Sequence, residues 1–417
     1  MIEQIRVKGY RLFKDFETKL QPGINVLIGA NASGKSSLVE LLRIIQSCCL
    51  GTVKPGIELR PMPGKVFHPA GEPSIAWGIT VPLIRDDRPP RCYHTMEIQV
   101  PTRAPRISSE VLTELGRKGR LGDCAPRELP DDISDEPLIR PCEPHRPLGW
   151  RLREHGVISE GRPRVRLDLE DAEPLLSRLT DPRYDSCYRF RNILLRWRFY
   201  SGLNINRTSP LRLPQPMEAT TELQESGDNL ASVLLLLFSD QRYQDQKGDF
   251  LSFLRAAIPE FETLAPTPDT LTNGVVLQWV EKGLGGRLSA PDLSDGVLRL
   301  LALGAICCNP HPPSLICIDE PEIGLHPKVL PLVGGLLRHA AQRSQVIVLT
   351  HSPELLYGMP LESIAVMRKE DGETKIVWPN DHKLLREIVT EEVAGEREVN
   401  YERLSEAFLS GELDTLG

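Results

Sequence analysis

The chain has 417 residues, 40% of them hydrophobic and 26% charged, with a formal net charge of −7 at pH 7. That length supports a large core and more than one lobe, and the negative balance excludes a polycation that coats DNA over its whole surface. No run of about 18 apolar residues exists, and the opening MIEQIRVKGYRLF lacks an apolar signal core, so a cytoplasmic chain with no membrane partner is expected.

Residues 1–50 read as strand, turn, strand, loop and helix. Ile5 and Val7 alternate with charge, and INVLI at 24–28 suits a strand buried on both faces. The helix expected over 36–50 carries Leu38, Val39, Leu41, Leu42 and Ile45 at helical spacing. Residues 52–215 are rich in proline and arginine and read as an insertion of short strands and loops, partly disordered around 116–147. Within it CYRFRNILLRWRFY, at 187–200, suits a buried helix or strand, and residues 222–260 read as helical. VVLQW then predicts a strand, GLGG a turn, and SDG the opening of a helix. The strand SLICI, a helix near 328–343 and the strand VIVLT follow. Strands alternating with helices predict a parallel sheet. Nine cysteines are scattered without a CxxC pair, so zinc is not expected, and Cys307, Cys308 and Cys317 read as small core hydrophobes.

Four constellations carry chemistry. GANASGKSS, after a strand and before a helix, fits the phosphate loop G-x-x-x-x-G-K-[ST] through Gly29, Gly34, Lys35 and Ser36. Its glycines let the backbone approach phosphate, and successive N–H groups with the helix N-terminus face the anion. The candidate ATP contacts are Gly29, Asn31, Ala32, Ser33, Gly34, Lys35, Ser36 and Ser37. Lys35 reaches the β- and γ-phosphates, and the Ser36 hydroxyl is a ligand for Mg²⁺. SLICIDEPEIGLHP ends an apolar strand in Asp319 and Glu320, on the edge where parallel sheets bind ligands. Asp319 suits Mg²⁺, which prefers oxygen, and Glu320 is placed to polarise an attacking water. VIVLTHSPE puts His351 at another strand end, where an imidazole can hydrogen-bond a γ-phosphate. DLSDGVLRLLAL opens an apolar helix with Ser294 and Gly296. That is an anion site or an ordinary N-cap when taken alone.

In this order the four resemble the ATPase head of the ABC superfamily. Residues 29–36 are similar to its Walker A, and residues 293–296 resemble its signature, with Asp295 where glycine is commoner. Asp319 and Glu320 resemble Walker B and the catalytic glutamate. Residues 322–327 fall at the D-loop and His351 at the switch histidine. IRVKGYRLFKDF, the asparagine in the phosphate loop, LSDG, DEPEIGLHP and THSP resemble the RecF/SMC/OLD-like branch, and ESGDNLASVL is similar to its small predicted AAA-type ATPases. The resemblance is specific over about residues 1–50 and 285–360.

It implies an α/β fold: a P-loop NTPase head with a mostly parallel central sheet, an N-terminal antiparallel β subdomain and an inserted α+β lobe. The expected division is 1–51 for the first part of the head and 52–285 for the inserted lobes, arginine-rich at 140–212 and helical at 222–260. Residues 286–417 make the rest of the head. The resemblance also implies ATP hydrolysis with Mg²⁺ in a homodimer, where Ser294 and Gly296 of one copy touch the γ-phosphate held by Lys35 of the other. Glu320 and His351 are the implied catalytic residues. The Q-loop glutamine has no clear counterpart, Gln46 and Gln215 being the candidates. Residues 352–417 lack an obvious Glu…Asp-x-Asp set, so the Toprim nuclease of the OLD proteins is not expected. The implied role is a switch acting on an effector in trans, a nuclease or toxin, in antiviral defence. The alternatives are a DNA-repair ATPase and, third, a transporter energy subunit, which the long interval from Lys35 to Ser294 disfavours. Fifteen arginines against nine acids between Arg140 and Arg212 leave two readings, a salt-bridged surface or a DNA contact.

Overall fold

The computed structural model describes residues 1–51, 53, 74–83, 90–99, 105–115, 145–152, 155–158, 165–269, 274–379, 386–387, 390–393 and 396–410. The stretch 116–144, most of the segment read as partly disordered, lies outside these, as do Cys124 and Cys142; residues 145–147 open a strand. In chain order the strands are β1 (Gln4–Tyr10), β2 (Phe13–Lys19), β3 (Ile24–Ile28), β4 (Ser74–Pro82), β5 (Arg91–Gln99), β6 (Arg106–Leu115), β7 (His145–Leu152), β8 (His155–Ile158), β9 (Val165–Asp168), β10 (Trp197–Tyr200), β11 (Gln215–Pro216), β12 (Phe261–Asp269), β13 (Gly274–Glu281), β14 (Leu288–Ser289), β15 (Leu315–Asp319), β16 (Gln345–Leu349), β17 (Ile364–Glu370), β18 (Glu373–Val377), β19 (Thr390–Val393) and β20 (Glu396–Val399). The helices are α1 (Lys35–Ser47), α2 (Asp185–Leu195), α3 (Leu230–Ser239), α4 (Gln244–Ala257), α5 (Asp295–Cys307), α6 (Leu330–Ala341) and α7 (Tyr401–Leu409). They divide into two compact units. The first comprises Met1–Pro22, Ala32–Trp197 and Arg368–Ile376, the second Gly23–Asn31, Arg198–Met367 and Val377–Gly417.

The first unit is built on an antiparallel sheet in the order β2-β1-β4-β5-β6-β7-β8-β9. Along β5 the side chains alternate, as a period of two requires. Cys92, His94, Met96 and Ile98 of β5 point inward opposite Val81, Ile79, Trp77 and Ile75 of β4. The strands reach ten residues in β6, longer than the short strands expected. The reason is polar: His94 and Glu110 interrupt the apolar alternation yet are buried. They satisfy each other at 3.1 Å, and Glu110 also accepts the Leu175 and Leu176 N–H groups at 2.5 and 3.0 Å. Helix α1 buries the expected Leu38, Val39, Leu41, Leu42 and Ile45, and its last turn tightens into a 3-10 turn at Cys48–Leu50. Helix α2 buries Cys187, Phe190 and Leu194, which are spaced for one helical face. The segment 187–200 is therefore both helix and strand, changing at Arg196.

The second unit is built on a sheet ordered β10-β15-β16-β3-β17. The pairs β15/β16, β16/β3 and β3/β17 are parallel. Every residue of β3 and β16 is buried, so both faces are covered and the strands read as unbroken apolar runs. This is the expected mostly parallel sheet, with the antiparallel β part carried at the N-terminus. A smaller antiparallel sheet, β11-β13-β12 with β14 on β13, packs beside α3 and α4 in one apolar cluster with α5 and α6. Strand β12 was not expected. Its Pro266 and Pro268 mask it in sequence, and an edge position accommodates them. Among the described residues no helix is long and apolar enough to cross a membrane.

Candidate nucleotide site

In the second unit three neighbouring parallel strands end at the same edge. Register places Leu27 beside Leu349 and Leu349 beside Asp319. The ends therefore deliver Gly29, Asp319 and His351 side by side, where a doubly wound sheet binds its ligand. Backbone bonds across the ends fix the level: Glu320 N–H donates to Leu349 O at 2.8 Å and Thr350 N–H to Leu27 O at 3.2 Å.

The phosphate loop leaves β3 through Gly29 at φ 151°, turns at Ala32 (φ 64°) and enters α1 at Gly34 (φ 107°). Left-handed backbone of this kind is what lets a loop turn N–H groups toward an anion. Helix α1 has no acidic residue in its first turn, so its positive end is free to meet an anion. Within the first unit Lys35 is buried and donates to Ser33 Oγ at 3.5 Å, while Ser36 is exposed. Gly34 admits no other side chain, because a Cβ there would come within 2.4 Å of Thr374 Oγ1. Thr374 braces the loop by donating to Ser33 O at 2.8 Å. Ser37 accepts from Arg11 Nη1 at 3.1 Å, and Arg11 pairs with Glu40 at 2.7 Å. The loop residues fit a polyphosphate. The exposed hydroxyl of Ser36 and the carboxylate of Asp319, both hard oxygen donors, are of the kind Mg²⁺ takes.

Past Asp319 the backbone strains. Glu320 adopts φ 51°, a left-handed conformation that costs a non-glycine residue about 1–3 kcal/mol. Its Oε1 lies 3.8 Å from His351 Nε2. Glu322, two residues on, holds the opposite loop. Its Oε1 accepts Thr350 Oγ1 and His351 N–H, both at 2.8 Å, while its buried Oε2 has no hydrogen-bond partner. One carboxylate thus joins the Walker B loop to the histidine loop.

Ser294 caps α5, its Oγ accepting Val297 N–H at 3.3 Å. Gly296 lies against the turn after Glu322, where a Cβ would sit 3.2 Å from Gly324 O. Just upstream, Ser289 and Asp292 form a capping box, whose hydrogen bonds hold the Asp292 carboxyl below its usual range. The loop between is held by Arg212. This arginine donates to Leu293 O at 2.7 Å and Ala290 O at 3.3 Å and pairs with Asp295. Sequence reasoning missed Arg11, Arg212, Glu322 and Thr374. All four act on residues distant in the chain; Glu322 falls in the D-loop motif, but nothing there marks its bond to the histidine loop.

Neither Q-loop candidate is available. Gln46 donates to Leu194 O and Trp197 O at 2.9 Å. Gln215 is buried and accepts Ala231 N–H at 2.7 Å. Several described arginines of the arginine-rich segment are committed to partners within the same unit. Arg178 pairs with Glu173, Arg183 with Asp181, Arg189 with Asp185 and Arg198 with Glu222, and Arg191 donates to Cys49 O. Where the segment is described, these pairs favour the salt-bridged surface over the DNA contact.

Comparison with known families places both ends of the motif set. Residues 1–48 match the AAA ATPase domain family, and residues 151–356 match the family described as "AAA domain, putative AbiEii toxin, Type IV TA system". No curated protein matches the chain significantly. Among solved structures the chain is similar to an SMC head bound to the C-terminal winged-helix domain of ScpA, at 14% identity and TM-score 0.49, over 90% of this chain and 97% of that one. It is also similar to the Pyrococcus furiosus Smc head with an extended coiled coil bound to the C-terminal domain of ScpA (14%, 0.47, 93% and 99%) and to the Thermotoga maritima SMC head (12%, 0.41, 90% and 98%).

Proposed function

We propose, from the premise that this chain carries an ATPase head of the ABC and SMC-like type, that it binds and hydrolyses ATP with Mg²⁺ and closes into a dimer on ATP. The carrying observation is the common edge at which β3, β15 and β16 deliver Gly29, the acid pair and the histidine. Lys35 and the loop N–H groups hold the β- and γ-phosphates. Ser36 and Asp319 are the Mg²⁺ ligands; bound there, the ion would neutralise charge on the phosphates. Glu320 orients the attacking water, and His351 contacts the γ-phosphate. Ser294 and Gly296 complete the site of a second copy, as the resemblance of residues 293–296 to the ABC signature implies.

The closing motion governs a partner protein in trans, a nuclease or toxin, in antiviral defence. The toxin–antitoxin wording of the family matched over residues 151–356 supports that setting. Lys35→Ala tests the nucleotide assignment. It abolishes ATP binding measured with a fluorescent nucleotide, and normal binding and turnover by that variant would overturn the assignment. For the partner, the ATP-bound Glu320→Gln protein retains an effector encoded beside it, whereas the ADP-bound protein does not. Equal retention in both states would remove the switch.

A further inference from the structure

Asp295 is the residue of the α5 opening that sits least well with an anion. Helix α1 keeps acids out of its first turn, whereas α5 begins with this carboxylate. An acid there suits the helix dipole but repels the phosphate that the same N-terminus would receive from a second copy. The inference rests on that reading of α5.

The unit supplies the counter-charge from a distant segment. Arg212 closes a 3-10 turn, Pro210–Arg212, which Ser209 caps. Its side chain is 7% exposed, and the Asp295 side chain that it meets is 64% exposed. All three guanidinium nitrogens are used: Nε donates to Ile205 O at 3.0 Å, Nη1 to Leu293 O and Ala290 O, and Nη2 to Asp295 Oδ1. A second cation, Arg299, lies one helical turn beyond Asp295 and interacts with it electrostatically. The buried fork therefore does two things at once. It fixes the carbonyls of the loop that enters Ser294, and it cancels the carboxylate next to it. Lysine, a single point charge, cannot reproduce that fork.

We propose that Arg212 is a positioning residue of the composite site, which makes the α5 N-terminus acceptable to a triphosphate presented by a second copy by neutralising Asp295 and holding the Ala290 and Leu293 carbonyls. Without it the carboxylate stays in place with only Arg299 to offset its charge against the phosphate.

The test uses the full chain in a Glu320→Gln background, with dimerisation at saturating MgATP followed by sedimentation velocity and nucleotide binding followed separately by fluorescence. Arg212→Gln weakens dimerisation at least about tenfold and leaves nucleotide binding by the monomer unchanged. Adding Asp295→Asn restores a large part of the dimer affinity, because the repelling charge is gone while the carbonyl contacts stay lost. A purely structural latch would show no such rescue. Arg212→Lys, the variant least disturbing to the fold, weakens the dimer and is rescued by Asp295→Asn in the same way. Dimerisation unaffected by both Arg212 variants, or weakened without rescue, overturns the proposal. Failure of the Glu320→Gln parent to dimerise at all would instead overturn the composite-site reading beneath it.

Discussion

Glu320 and Glu322 are two carboxylates of one loop with separate work. Glu320 stands at a strained φ within 3.8 Å of His351, and the proposed function gives it the attacking water. Glu320→Gln therefore lowers turnover by about 10²–10⁴-fold with ATP binding retained, measured as phosphate release against nucleotide affinity. Unchanged turnover removes Glu320 from its role. Glu322 holds the His351 loop through two hydrogen bonds, each worth about 1.5–3 kcal/mol to a charged acceptor. Glu322→Ala frees the histidine, so kcat falls while the affinity for ATP changes little; an equal loss in both would place Glu322 in binding instead. The buried thiols give a pH signature. Burial pushes Cys49 and Cys308 up to about 12, while the unfolded thiols ionise near 8.5. The fold thus favours neutral thiols. Their contribution is complete below the unfolded value and is lost as pH rises from there toward 12. Cys49→Ala and Cys308→Ala proteins lose less urea stability between pH 8 and 10 than the parent. Equal losses would contradict the burial effect.

At the scale of elements, the parallel strands were legible because burial on both faces leaves an unbroken apolar run, and each of β3, β15 and β16 ends in a conspicuous change of chemistry. The antiparallel sheet was not legible. Its inward row includes His94 and Glu110, which look like surface residues until their partners are known. Strand β12 hid behind two prolines that only an edge strand tolerates. The site was read in part: motifs local in sequence stood out, whereas Arg212 reaches the α5 loop, and Thr374 the phosphate loop, from far along the chain. The Glu110 network makes a stability prediction of its own. Glu110→Ala leaves His94 and two backbone N–H groups buried without an acceptor and lowers unfolding stability by about 3–5 kcal/mol. A change below about 1 kcal/mol in urea denaturation would contradict that account.

For the whole molecule, the net charge of −7 and the internal pairing of the described arginines argue in the same direction. If the described arginines stay in these pairs, they offer few phosphate contacts to release counterions, and any DNA affinity through them varies shallowly with salt, whereas six or more contacts would cost 10³–10⁵-fold between about 50 and 200 mM. The proposed function instead has a site finished by a second copy. Mixing two variants tests that directly. Lys35→Ala and Ser294→Arg are each inactive alone. In a mixed dimer one site joins an intact phosphate loop to an intact α5 N-terminus, so ATP turnover reappears when the two are combined. A mixture of folded variants that stays as inactive as its components would contradict the composite site.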